Sequence, residues 1–103
     1  MDLSDFRASL EASAPPSSIT SELRALWLDA NGDWQAAHEI AQALPDPDGA
    51  WIHAYLHRKE GDVANAGYWY ARAKKPVPKA SLDTEWSVLA REFLARTRDQ
   101  GGA

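Results

Sequence analysis

The dipeptide Gly-Asp occurs twice, at Gly32-Asp33 and Gly61-Asp62, and at that offset of 29 residues Ala25 falls on Ala54 and Ala37 on Ala66. Glycine enters the left-handed region at no steric cost and so ends a helix, while aspartate accepts from the unpaired N–H groups that start the next one. Two residues thus close one helix and open another, which leaves the chain only an antiparallel return. Small alanines on both sides let the two backbones approach. The feature predicts a duplicated helical hairpin. A lone hairpin cannot bury its apolar face, so two of them must stack and be covered by flanking helices.

The rest of the pattern supplies those flanks. Leu3, Phe6 and Leu10 form one stripe of a short helix over residues 2–14, ended by Pro15-Pro16. Ser17 or Ser18 caps a helix carrying Ile19, Leu23, Leu26, Trp27 and Ala30, which Asn31-Gly32 stops. Asp33 caps the next, with Trp34, Ala37, Ile40, Ala41 and Leu44 on its apolar face, and Pro45 to Gly49 reads as a turn. A helix over Gly49–Glu60 carries Ile52, Tyr55 and Leu56 with Trp51 beside them, and one from Val63 to Lys75 carries Val63, Ala66, Tyr70 and Ala73. Pro76 and Pro78 break it. Ser81 caps a last helix with Leu82, Trp86, Leu89, Ala90 and Phe93 buried, followed by a frayed tail at 100–103. No stretch alternates with strand period. The expectation is an all-α single domain over 1–103: hairpins at 18–44 and 49–75, a C-terminal helix at 81–98, and five to six helices in all.

These residues resemble tetratricopeptide repeats. The second hairpin carries the likeness best, through Gly61-Asp62, Ala66, Tyr70, Ala73 and Pro76, and the first through Gly32-Asp33-Trp34, Ala37 and Leu44. The resemblance implies stacked antiparallel hairpins, with the N- and C-terminal helices as caps. The stretch from Trp51 to Tyr70, WIHAYLHRKEGDVANAGYWY, also resembles a group of small bacterial proteins that share its wording, a likeness that implies no activity.

Charge and composition exclude several functions. The chain has no cysteine, so a disulfide framework, a thiolate zinc finger and a cysteine nucleophile are all ruled out. The formal net charge of −4 argues against nucleic-acid binding, which needs a basic face. Residues 1–57 carry nine acidic and two basic side chains, whereas residues 58–103 carry nine basic and six acidic. The two halves therefore either attract each other within one domain or polarise the surface toward an acidic partner. With an acidic start and no long apolar run, the expectation is a cytoplasmic protein that meets no membrane. Neither a glycine-rich phosphate loop nor a nucleophile elbow is present, and no cofactor is expected.

Two constellations could still carry chemistry. Trp51, Tyr55, Tyr68, Trp69 and Tyr70 fall within twenty residues, more aromatic surface than one small core needs. Trp51, Tyr55, Tyr68 and Trp69, with Arg58 and Lys59, are the candidate binding residues of an aromatic and basic groove for a protein or peptide partner. The same surplus leaves a homo-oligomer open, and so does cover by the terminal helices. This interaction module, without catalysis, is the leading expectation. The alternative is a metal-binding protein or small enzyme built on His53 and His57, whose i, i+4 spacing puts both imidazoles on one helix face. A third ligand would come from His38, Glu39 or Asp62. The bland account of both histidines is that they pack beside aromatic rings and hydrogen-bond to a carboxylate or carbonyl, or simply face solvent.

Overall fold

The computed structural model describes residues 1–101, with side chains through Thr97. Its elements are α1 (Leu3–Ser9), α2 (Ser21–Ala30), α3 (Trp34–Ala43), α4 (Asp48–Glu60), α5 (Val63–Ala73) and α6 (Leu82–Gly101). The described residues are all helix and connection, as the hydrophobic period requires.

Both Gly-Asp turns do what their chemistry dictates. Gly32 and Gly61 sit at φ +88° and +93°. Asp33 accepts from the Ala36 N–H at 3.1 Å and Asp62 from the Asn65 N–H at 3.2 Å, so each turn caps the helix it opens. In consequence α2 packs on α3, α4 on α5, and α3 on α4, while α6 lies across α2 and α4 and α1 covers α6. Ala25, Ala37, Ala54 and Ala66 are all buried, the close-approach positions expected of them.

The central element is α4. It touches α2, α3, α5 and α6, and every residue from Gly49 to His57 is buried. A helix covered on all sides cannot show a polar face. Indole N–H groups tie its neighbours together: Trp34 donates to the Leu56 carbonyl at 2.9 Å, Trp86 to Leu26 at 3.1 Å and Trp27 to Ser9 at 3.2 Å. Glu85 of α6 is buried and accepts from Arg58 at 2.7 Å and from the Tyr70 hydroxyl, which ties α6 to α4 and α5. The opposed charge of the two halves is spent internally, as Lys59–Asp29, Arg72–Asp46 and Arg96–Asp48 pairs.

Several boundaries move. Helix α1 ends at Ser9, because Leu10, Glu11 and Ala12 tighten into bonds to the third residue back well before Pro15. The cap of α2 is Thr20, whose hydroxyl accepts from Leu23 N–H, and not Ser17 or Ser18. Helix α5 ends at Ala73, two residues short of the expected end, where Lys74 caps it in a left-handed conformation at φ 59°, and Val63 is 71% exposed rather than on the buried stripe. Helix α6 continues through residues 100 and 101 of the expected tail, and 102–103 lie outside the described residues. Among the described residues no helix is long and apolar enough to cross a membrane.

Candidate metal and ligand site

Three helices each present a stripe to one cleft of about 530 Å³: His38 and Gln42 from α3, His53 and His57 from α4, and Asn65, Trp69 and Arg72 from α5. Within each set the spacing is three or four residues, the repeat that brings side chains onto one helix face. Asp46, in the connection between α3 and α4, completes the rim.

The histidines touch one another. The His53 and His57 rings stack at 5.4 Å with 8° between planes, and His38 points its edge at both, at 4.5 and 5.3 Å. His53 Nε2 and His38 Nε2 are 2.9 Å apart, so one of these nitrogens donates a proton to the other. A ligand-capable nitrogen from each of the three lies within 4.8 Å of those of the other two. His57 Nδ1 and the Glu60 carboxylate meet at 2.5 Å. Trp34 stacks on His38 at 4.8 Å and Trp69 on His53 at 4.1 Å, which fixes both rings from outside the cluster.

Burial sets the protonation. It is the largest influence on His53, joined by the neighbouring His38, His57 and Arg72, and it holds the imidazole down at about 4 against the opposing pull of Asp46. Burial and then His57 also lower His38, with Glu60 and Glu39 opposing. Both rings are therefore neutral at pH 7, with a lone pair available.

Of the three candidates for a third ligand, only His38 joins His53 and His57. Asp62 lies with His57 and Glu60 in an exposed acidic corner but spends an oxygen capping α5, and Glu39 is exposed on α3. The aromatic and basic groove does not form as one surface. Trp51 and Tyr55 are buried, because α6 covers the α4 face that would have displayed them, and the Trp51 ring meets Phe93 edge-on at 5.7 Å. Arg58 is committed to Glu85 and the Ala80 carbonyl, and Lys59 to the buried Asp29 at 3.1 Å. Burial and the adjacent Asp29 raise the Tyr55 phenol. Of the four groove aromatics only Tyr68 and Trp69 remain near the surface, with the Arg72 guanidinium over both rings at 5.8 and 4.7 Å. Sequence reading missed Arg72, although its spacing of three from Trp69 and four from Tyr68 was visible. Comparison with protein-family models, curated proteins and solved structures finds no match for this chain.

Proposed function

We propose that this chain is a small helical metal-binding protein in which His38, His53 and His57 hold one divalent ion of the zinc class. The observation that carries the reading is the convergence of three imidazoles from α3 and α4 on the wall of an open cleft. Two nitrogens bound tetrahedrally to one zinc are about 3.3 Å apart, given metal–nitrogen bonds of about 2.0–2.1 Å. The His53–His38 separation of 2.9 Å is on that scale, and the 4.8 Å bound on the cluster leaves only small adjustments. Glu60 on His57 Nδ1 is the carboxylate that metal-binding histidines commonly carry on their second nitrogen, and it leaves Nε2 as the ligand. Binding through both Nε2 atoms would require the proton between His53 and His38 to shift to Nδ1 of the donor ring, which leaves each ring a neutral ligand. Three protein ligands leave a fourth position for a molecule from the cleft.

Tag-free protein, stripped with chelator and titrated with Zn²⁺ in a calorimeter, tests this. One equivalent should bind and raise the melting temperature, and His53→Ala should abolish both effects. Absence of heat and of any thermal shift, or equal binding by His53→Ala, refutes the metal reading and leaves the three rings as a packed hydrogen-bonded cluster.

A second reading, docking of a protein or peptide on tetratricopeptide-like hairpins, rests on Tyr68, which is 56% exposed beside Arg72. A partner captured by the metal-free protein and lost with Tyr68→Ser supports docking apart from the ion. Equal capture by both refutes it.

A further inference from the structure

We infer that the fourth position of this metal site takes a small oxyanion, a carboxylate or a phosphate group, held at once by the ion and by Arg72. The inference rests on the metal reading above and names the ligand class of the same site.

The charge of the cleft points to an anion. Asp46 and Arg72 are its charged lining side chains, and they pair with each other, so their formal charges cancel. Histidines that ligate a metal do so as neutral imidazoles and add no charge of their own. A bound divalent ion therefore leaves a net positive cleft, which Glu60 behind His57 only halves. A water molecule in the fourth position would not offset that charge.

Donors are placed to receive the rest of the anion. Arg72 directs Nε and Nη2 at one oxygen of Asp46, at 3.0 and 2.6 Å, while Nη1 has only the Tyr68 hydroxyl at 3.4 Å. One donor of the guanidinium fork is therefore weakly engaged, and the fork suits the planar geometry of carboxylate and phosphate. The Trp69 ring touches both parts of the site, its indole stacked on His53 and the Arg72 guanidinium 4.7 Å from its centroid. Asn65 and Gln42 add amide donors, and among the described residues neither side-chain amide is hydrogen-bonded. A volume of about 530 Å³ is in the range of small-molecule sites and exceeds what one or two waters fill.

Co²⁺ in place of zinc gives a visible spectrum that reports the fourth ligand without any assay of activity. The protein is first loaded with Co²⁺ and its occupancy measured, then titrated separately with acetate, phosphate and chloride. The expected result is a saturable spectral change with acetate, with phosphate or with both, the responding arm naming the source of the oxyanion. Arg72→Gln should weaken that response about tenfold or more, as loss of a hydrogen bond to a charged group does. Co²⁺ should still be bound at one equivalent with at least wild-type affinity, because Asp46 is left uncancelled beside it. Retained affinity also shows that the variant is folded. Full Co²⁺ occupancy with no spectral response to acetate or phosphate overturns this inference and leaves the metal site standing. So does an Arg72→Gln response equal to wild type, or a chloride response as strong and as dependent on Arg72 as the oxyanion response. Failure to bind Co²⁺ at all overturns both readings together.

Discussion

The indole of Trp69 lies flat on the imidazole of His53, 4.1 Å between centroids and 14° between planes. An aromatic face from α5 thus closes the far side of a histidine that α4 already buries. Such a ring loses the water that would stabilise its charged form, and the neighbouring His38 and His57 add to that effect.

Acid should therefore unfold the metal-free protein through this ring. The unfolded chain takes up a proton on His53 near its ordinary 6.5, whereas the folded chain resists until about 4. His53 stabilisation is fully present above pH 6.5, declines as pH falls through that window, and is gone below 4. The difference corresponds to about 3 kcal/mol. Between pH 6.5 and 4, chelator-treated wild type should lose about that much more stability than His53→Gln in urea titrations. Parallel pH profiles would contradict it.

Glu60→Gln should lower zinc affinity without unfolding the chain. The carboxylate is half-exposed and touches the metal ligand set only through His57 Nδ1. Loss of such a carboxylate typically costs about 10- to 100-fold in affinity. Calorimetry at pH 7 reads it, with the melting temperature of the metal-free variant as control. An unchanged dissociation constant would remove Glu60 from the site.

Arg58 is a structural residue in this arrangement, and a variant can show it. Its guanidinium neutralises the buried Glu85 carboxylate, which also accepts from Tyr70. Arg58→Ala strands that charge, though partial exposure of the pair softens the penalty to roughly 2 kcal/mol. For a domain of this size that lowers the melting midpoint by about 8–16 °C. Zinc affinity should not change. A normal melting temperature would mean that Glu85 finds water or another partner.

What could be read from the chain was what neighbouring residues decide among themselves. Asp33, Asp62, Gly32 and Gly61 act on backbone within three residues, and each behaves as its side chain, or lack of one, predicts. The cap of α2 was harder because Ser17, Ser18, Thr20 and Ser21 offer similar hydroxyls within five residues, and packing of Leu23 and Leu26 chooses among them. Trp51 and Tyr55 are groove candidates in the sequence because their burial comes from α6, which begins only at Leu82. The spacing of His53 and His57 was visible, but which of His38, Glu39 and Asp62 would join them depends on how α3 lies on α4. No local pattern carries that angle.

Gly49 governs that contact and gives the sharpest test of the fold. In an ordinary helix, exchanging glycine for alanine stabilises by roughly 0.5–1 kcal/mol, because the unfolded chain loses freedom. Here the sign should reverse. A β-carbon at Gly49 would stand 2.8 Å from the Ala41 carbonyl oxygen and closer still to that of Leu44, both backbone atoms at the end of α3 that cannot swing aside. Relieving the overlap must separate α3 from α4, at a cost of about 1–3 kcal/mol. At Gly61 a β-carbon meets nothing within 4 Å, so only the left-handed φ of +93° resists substitution, at about 1 kcal/mol. Gly49→Ala should therefore melt below Gly61→Ala, and both below wild type. Because the same separation draws His38 away from His53, Gly49→Ala should also weaken zinc binding, whereas Gly61→Ala should leave it within about twofold. If Gly49→Ala melts at or above the wild-type temperature, α4 does not cross α3 at Gly49, and the three imidazoles lose the contact that brings them together.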